Sequence, residues 1–250
     1  FEEHKKLGAR IVPFAGHEMP VWYSNIEEEH TAVRTTGGLF DVSHMGVFEI
    51  SGPNATSFLD LVSANYTRWL ADGEAHYSYL LDQDGKVIDD IYIYRYAWDR
   101  YFMVVNASNE AKDWNWLSSV NKGEVLIDRQ IPQRRNLNPA VLRNLKDPAN
   151  GADRRIDIAF QGPKSLEVLM KLCDRDNERS RLSAMKRNGC MELSLCGFPV
   201  AISRTGYTGE EYGYEIFVHP DNSVKVWQRI LEVGKDFGIL PIGLGARDSL

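Results

Sequence analysis

Two stretches of the chain follow the same order of predicted elements, and this internal repeat constrains the fold more than any other feature. They are "VFEISGPNATSFLDLV" at 47–62 and "IDIAFQGPKSLEVLMK" at 156–171. Each reads as an alternating strand, a Gly-Pro pair that suits the first helical turn, and a segment with apolar residues at helical spacing. Two further strands and a helix follow each stretch. The repeat therefore predicts a duplicated strand-helix-strand-strand-helix unit.

The duplicated unit predicts an α+β, ferredoxin-like fold in which each copy forms an antiparallel sheet with helices on one face. We expect the first α+β unit at 1–127, the second at 156–250, and a ligand cavity between the two copies. The intervening segment at 128–155 is rich in Pro, Asn and Arg. It predicts a connecting excursion with at most one short helix and a small contribution to the fold.

Charge and composition exclude several classes of function. A net charge of −6 argues against a general nucleic-acid-binding protein, which needs a basic face to neutralise phosphates. No apolar run approaches the length needed to cross a bilayer. Cys173, Cys190 and Cys196 lack CxxC spacing, which argues against a disulfide scaffold and against a zinc site. We therefore expect no metal site. The start "FEEHKK" lacks a signal pattern, so we expect a cytoplasmic or organelle-matrix protein.

Two adjacent acids stand in "GKVIDDIYIYR" at 85–95, where a turn leads into an alternating strand. Period-2 alternation places Asp90 with Tyr92 on one face and Asp89 with Ile91 on the other. Acids beside a turn are usually solvated, since carboxylates are rarely buried without a partner. From the residues alone, the sequence does not distinguish between the two acids.

Several longer motifs occur in a fixed order along the chain. They are "LGARIVPFAGHEMPVWY", "LFDVSHMG", "DGKVIDDIYIY", "SRTGYTGEEYGYEIFV" and "GLGARDSL". Together they resemble the aminomethyltransferase, or T-protein, of the glycine cleavage system and its tetrahydrofolate-dependent relatives, nearly from end to end. The resemblance implies a tetrahydrofolate cavity ringed by domains. It also implies a further C-terminal β-rich domain that these 250 residues do not contain.

The resemblance implies a catalytic role for Asp90, the second acid of the "IDD" motif, and a structural role for Asp89, bonding backbone at the turn. It implies that Glu215 and Arg247 bind folate, for which the alternative reading is a mutual ion pair. Asn106, Tyr77 and Met45 correspond to positions that line the cavity; without the resemblance, Tyr77 and Met45 read as ordinary core residues. Asp41 and His44 offer no nucleophile with a base, and we assign them to loop structure.

The implied function is transfer of a methylene unit from an aminomethyl-lipoyl carrier protein to tetrahydrofolate, with release of ammonia. His17 and Trp22 depart from the family pattern, in which Trp and Gln are customary, and the hairpin before Glu215 is one residue longer. The changes at His17 and Trp22 keep open an alternative, a tetrahydrofolate-dependent demethylase acting on an N-, O- or S-methyl donor.

A non-catalytic folate-binding relative that supports iron–sulfur cluster assembly is a third reading. It is disfavoured because "SRTGYTGEE" lacks the cysteine of that group's signature. The arginines of the 128–155 excursion, among them Arg134, Arg135 and Arg143, suggest a docking surface for an acidic carrier protein. A solvated loop is the alternative interpretation of the same residues.

Overall fold

The computed structural model describes residues 1–250, in which eight α-helices and thirteen strands are assigned. Three short 3₁₀ segments lie at 67–69, 148–153 and 235–237. In chain order the helices and strands are α1 (Glu2–Lys6), β1 (Arg10–Phe14), β2 (His17–Trp22), α2 (Ile26–Thr35), β3 (Gly38–Asp41), β4 (Gly46–Ser51), α3 (Ala55–Val62), β5 (Glu74–Leu81), β6 (Val87–Ala97), β7 (Arg100–Val105), α4 (Glu110–Asn121), β8 (Val141–Asn144), β9 (Ile156–Gln161), α5 (Ser165–Leu172), α6 (Asp176–Ala184), β10 (Cys190–Leu195), β11 (Phe198–Ser203), β12 (Gly213–Val218), α7 (Pro220–Gly234), β13 (Leu240–Ile242) and α8 (Leu244–Ser249).

The chain divides into two compact units. One unit comprises residues 1–44 together with 155–250, and the other comprises 45–154. This grouping differs from the expected order of 1–127, 128–155 and 156–250. The reason is strand pairing: β3, near the N-terminus, pairs with β9 on one side and with β13 on the other. The first 44 residues therefore belong with the C-terminal half of the chain.

The unit at 45–154 is built on a five-stranded sheet in the order β5-β6-β7-β4-β8, with antiparallel pairing throughout. Residues from α3 and α4 pack with the inward side chains of the strands in one buried cluster. Its fully buried members include Ile50, Phe58, Leu59, Ile93, Tyr101, Met103 and Val120. The helices thus cover one face of the sheet and leave the other to side chains such as Asp90.

The unit at 1–44 and 155–250 is built on a six-stranded sheet in the order β10-β11-β12-β9-β3-β13. All of its pairs are antiparallel except β3–β13, which is parallel and departs from the antiparallel expectation. Residues of α5, α6 and α7 share a buried cluster with alternate residues of the strands, namely Ile158, Phe160, Leu169, Leu182, Ile202, Ile216 and Ile230. The strand residues of opposite parity, Glu215 and Asp157 among them, point away from these helices.

The predicted α+β class and the duplication are confirmed, with one strand more in each copy than expected. The first copy runs strand, helix, three strands, helix, and the second has two helices, α5 and α6, before its three strands. The extra strand is β5 in one copy and β10 in the other, and each precedes the predicted pair. The excursion at 128–155 also contributes more than predicted. Its residues Val141–Asn144 form β8, which pairs with β4 and completes an edge of the sheet. The expectation of a small contribution to the fold was wrong.

The two Gly-Pro pairs form tight turns that precede their helices. In each turn the amide of the first helical residue bonds the glycine carbonyl, Ala55 to Gly52 at 3.0 Å and Ser165 to Gly162 at 3.1 Å. The prolines therefore precede the helices and do not sit in their first turn, which corrects the expectation. Both glycines have positive φ, +90° at Gly52 and +122° at Gly162. None of the helices has the length and apolar character required to span a bilayer.

Candidate active site

The strand β6 carries the two adjacent acids on opposite faces, as the alternation predicted. Asp89 is buried together with Ile91 and Ile93, on the side that packs against the helices. Asp90 is exposed on the other side of the strand. The two carboxylates therefore experience different environments although they are neighbours in sequence.

Asp90 is held by two side-chain donors. The Tyr77 hydroxyl donates to Asp90 Oδ2 at 3.1 Å, and Asn106 Nδ2 donates to Asp90 Oδ1 at 2.8 Å. Tyr77 comes from β5, and Asn106 follows directly after the end of β7. Three residues that the resemblance implied for the site are thus brought together by three neighbouring strands. The carboxylate is fixed in position and still exposed, so its remaining lone pairs are available to a ligand.

Asp89 accepts three hydrogen bonds from the loop between β7 and α4. The backbone N–H of Asn106 donates to Oδ2 at 3.0 Å, and the side-chain Nδ2 of Asn106 donates to Oδ1 at 3.0 Å. The side-chain Nδ2 of Asn109 also donates to Oδ1. Asp89 does bond backbone, but at the end of β7 and not at the turn before β6. The Asn106 side chain bridges the two acids, because the same Nδ2 contacts both carboxylates.

A row of tyrosines lies on the same sheet face as Asp90. Tyr77 contacts Tyr79 edge-on at 5.2 Å between ring centroids and Tyr92 at 6.2 Å, and Tyr92 contacts Tyr94 at 5.2 Å. Loss of surrounding water, followed by the Tyr79 hydroxyl and the Asp90 charge, raises the pKa of Tyr77 above its ordinary value. Tyr77 therefore remains a phenol donor. Sequence reasoning did not assign Tyr79 or Tyr92 to the site, although the alternation in "AHYSYLL" and "IYIY" was the available signal.

Met45 stands apart from this hydrogen-bonded group. It directly precedes β4, is half-buried, and is not a member of the buried core of its unit. Its exposed portion offers apolar surface, but the structure does not connect it to Asp90.

Glu215 lies in the other unit, on β12, and is 9% exposed. The Thr205 hydroxyl donates to Glu215 Oε2, and the hydroxyls of Ser203 and Thr205 are 2.6 Å apart. Asp157 lies diagonally across the β12–β9 pair on the same sheet face. Burial, and then the nearby charge of Glu215, raise the pKa of Asp157 well above its usual range. This face therefore holds two buried carboxyl groups, Glu215 and Asp157.

Arg247 is on α8 in the same unit as Glu215, but it does not form the mutual ion pair considered as an alternative. Its guanidinium lies over the ring of Tyr207, 4.8 Å from the centroid, and Arg247 Nη1 is 3.5 Å from His44 Nε2. The Tyr207 ring also contacts Phe40 edge-on. Sequence reasoning left Tyr207 without a role, although its motif, "SRTGYTGEE", was singled out.

Asp41 and His44 contribute to loop structure and to a further hydrogen-bonded chain. Asp41 accepts hydrogen bonds from His4 Nε2 and from the Ser43 amide, each at 2.8 Å, and Tyr23 Oη lies 2.8 Å from His4 Nδ1. Burial alone would raise the pKa of Asp41, but the bonds from His4 and Ser43 outweigh it and lower the pKa to about 2. The assignment of His44 to loop structure omitted its position beside Arg247.

His17 and Trp22, the two residues that differ from the family pattern, lie on one hairpin. His17 begins β2 and Trp22 ends it, and β2 pairs with β1. The Arg10 guanidinium lies over the Trp22 ring at 5.5 Å, and the rings of His17 and His44 are 6.3 Å apart.

The arginines of the excursion are less available than the sequence suggested. Arg143 donates to Glu49 through Nε and Nη2, at 3.0 and 2.6 Å, and to Asp153 at 2.7 Å. It is therefore a structural residue and not a docking residue. Arg134 lies 3.6 Å from Asp128, and both groups are partly exposed.

A comparison with known proteins identifies the family of this chain. The family model described as "GCVT N-terminal domain" matches residues 1–250. The chain belongs to the glycine cleavage T-protein family. Its curated relatives in this family include proteins named aminomethyltransferase from Chloroherpeton thalassium, 43% identical over 99% of the chain, and from Bacillus subtilis, 39% identical over all of it. The chain spans 61% of the length of the first relative and 62% of the second.

Solved structures agree with this T-protein assignment. The glycine cleavage system aminomethyltransferase T from Bartonella henselae is 30% identical, with a TM-score of 0.78, over 100% of this chain and 60% of that one. A heterotetrameric sarcosine oxidase from Corynebacterium is 16% identical, with a TM-score of 0.51, over 85% of this chain. The second similarity shows a shared fold alone.

Proposed function

We propose that this T-protein family member transfers a methylene unit from an aminomethyl-lipoyl carrier protein to tetrahydrofolate and releases ammonia, in the cytoplasm or an organelle matrix. One observation carries the proposal. The Asp90 carboxylate is exposed, is fixed by Tyr77 and Asn106, and lies beside a row of tyrosine rings. Such an arrangement offers a preorganised negative charge next to a surface that accepts flat rings.

The chemistry of aminomethyl transfer matches a fixed carboxylate. As the amine leaves, the one-carbon unit gains cationic, iminium-like character, and a nearby negative charge stabilises that character. Asp90 needs no reorganisation to supply this charge, because its two donors already determine its orientation. Asp89 is unsuited to the role, since it is buried and its lone pairs are occupied by three N–H donors.

The residues present also fit tetrahydrofolate as the acceptor. Tetrahydrofolate supplies the nucleophilic nitrogen and, in its pterin, an amino-pyrimidine edge. In this proposal Glu215 accepts hydrogen bonds from that edge, since carboxylates pair well with adjacent N–H groups. The Arg247 guanidinium, already stacked on Tyr207, donates to a ring carbonyl or stacks on the ligand ring. Asn106, Tyr77 and Met45 complete the proposed contacts.

The proposal is tested by Asp90→Asn, which keeps the shape of the side chain and removes its charge. We expect turnover to fall on the order of a hundredfold to a thousandfold while tetrahydrofolate affinity is retained. Ammonia and methylene-tetrahydrofolate are measured with an aminomethylated lipoyl carrier protein, and folate affinity is measured by calorimetry. Glu124→Gln, a change at an exposed residue outside the site, is the matched control.

Full turnover by the Asp90→Asn variant would refute the assignment of Asp90. The same assay is run with N-, O- and S-methyl donors in place of the carrier protein. Production of a folate one-carbon adduct from those donors, without ammonia release from the aminomethyl donor, would replace the proposed reaction with the demethylase alternative.

A further inference from the structure

Asp113 is a buried acid that the proposed reaction does not use. It lies on α4 and is 0% exposed. Neither of its carboxylate oxygens has a hydrogen-bond donor within reach. A buried carboxylate without a donor is costly, so the group that it faces determines its state.

The group that Asp113 faces is the carboxyl of Asp89, close enough for a side-chain hydrogen bond between them. Ionising both carboxyl groups of such a contact is costly, because like charges repel strongly where water is excluded. Asp89 already accepts hydrogen bonds from N–H donors of Asn106 and Asn109, whereas Asp113 accepts none. The proton of the pair therefore belongs to Asp113, which then donates to Asp89.

The same helix supplies two of the groups that hold Asp89. Asn109 is the residue that caps the start of α4, and Asp113 lies one turn later, with its amide bonded to the Asn109 carbonyl at 2.9 Å. Residues four apart on a helix lie on one face. Asn109 and Asp113 thus approach Asp89 together and fix it relative to α4.

We propose that Asp113, as a neutral carboxylic acid donating to Asp89, is a positioning residue for Asp90. The influence passes through Asp89 to Asn106, whose Nδ2 contacts both Asp89 and Asp90 at 3.0 and 2.8 Å. The inference rests on the proposed catalytic role of Asp90. It adds a residue that touches neither the reacting carbon nor Asp90 itself.

The charged groups around Asp113 predict how pH affects the hydrogen-bonded link from Asp113 through Asp89 to Asn106. Asp89 faces it from β6, and Lys112 adjoins it on α4, with Lys112 Nζ donating to the Ile88 carbonyl at 2.8 Å. Burial, and then the Asp89 carboxylate, raise the pKa of Asp113 to about 8, against a smaller opposing effect of Lys112. Above that pH Asp113 becomes charged. Repulsion then separates α4 from Asp89, and Asn106 loses its fixed orientation.

Two substitutions at Asp113 separate positioning from simple packing. Asp113→Asn keeps a donor toward Asp89 at every pH, whereas Asp113→Leu keeps the branched shape of the side chain without any donor. We expect kcat of the parent to decline as pH rises through about 8. We expect Asp113→Asn to retain turnover within a few-fold of the parent and to show no such decline. We expect Asp113→Leu to lower kcat on the order of tenfold to a hundredfold with a smaller change in KM.

A second measurement follows the hydrogen-bonded link from Asp113 to Asn106 without an activity assay. The side-chain amide resonances of Asn106, followed by NMR against pH, are expected to titrate near pH 8 in the parent and not in Asp113→Asn. An unchanged kcat in Asp113→Leu, or an Asn106 amide that does not titrate in this range in the parent, would overturn the proposal. If Asp113→Leu does not fold, the comparison of parent and Asp113→Asn decides. If no ammonia is released by the parent, the proposed function fails, and the NMR titration still tests the link from Asp113 to Asn106.

Discussion

Glu49 is expected to be among the most sensitive polar residues for the stability of the unit at 45–154. It lies on β4, is 3% exposed, and joins the two strands that flank β4. Arg100 of β7 donates to it through Nε at 2.9 Å, and Arg143 of β8 donates through Nε and Nη2 at 3.0 and 2.6 Å. Glu49→Ala removes all three bonds and leaves two guanidinium groups without their shared carboxylate.

The size of the loss follows from burial. Removing one member of a buried ion pair typically costs about 3–5 kcal/mol, because the remaining charge stays unpaired in a region with little water. Both arginine side chains are 32% exposed and Arg143 keeps its pair with Asp153, so water and this second acid partly compensate the two charges after the change. We therefore expect a loss at the lower end of the range, about 3 kcal/mol in the free energy of unfolding.

Urea unfolding followed by far-UV circular dichroism measures this loss, and hydrogen exchange locates it. Protection should fall first in β8, which is an edge strand tied to β4 by Arg143. The control is Glu167→Ala, which breaks an exposed pair with Lys164 and should cost less than about 0.5 kcal/mol. If Glu49→Ala lowers the free energy of unfolding no more than the control does, the argument that burial makes this ion pair strongly stabilising is refuted.

Substituting the two glycines of the Gly-Pro pairs should lower the free energy of unfolding by unequal amounts, and substituting Asp41 should lower it by an amount that depends on pH. A Cβ at Gly162 would lie 2.6 Å from backbone atoms of Gly37 and Val33, whereas one at Gly52 meets only a side-chain methyl at 3.8 Å. Thus Gly162→Ala should cost at least about 2 kcal/mol more than Gly52→Ala in urea unfolding, and equal costs would contradict the packing seen at Gly162. Because its pKa is lowered to about 2 in the folded chain, Asp41 adds stability above the unfolded pKa that is lost as pH falls. Asp41→Asn should therefore cost about 2 kcal/mol at pH 7, and the difference should narrow between pH 4 and pH 2; a constant difference would point to lost packing instead.

Local patterns in the sequence predicted what local physics controls. Alternation placed Asp89 and Asp90 on opposite faces of β6, and helical spacing after each Gly-Pro pair predicted α3 and α5. In each case the signal lies within a few residues, because strand and helix periodicities are properties of neighbouring side chains.

The sequence could not predict what depends on distant pairing. β8 is four residues long and stands in a segment rich in Pro and Asn, and it is a strand because β4 offers it an edge. From the sequence, the choice between Asp89 and Asp90 rests on family resemblance alone, because the donors around each acid come from β5 and from the end of β7. Asp113 gave no signal, because a single acid in a helix is ordinarily solvated and its burial against Asp89 depends on tertiary packing.

The parallel pairing of β3 with β13 determines when each half of the molecule can fold. Gly38 and Leu240 are register partners about 200 positions apart in the sequence, so this sheet cannot close until Leu240 has been synthesised. The unit at 45–154 is continuous and its sheet needs no later residue. Since domains fold as units in the order in which they emerge from the ribosome, this central segment can reach its native pairing while β3 still waits for its partners. The high sequence separation of the β3–β13 contact gives its formation a large loop-closure entropy cost.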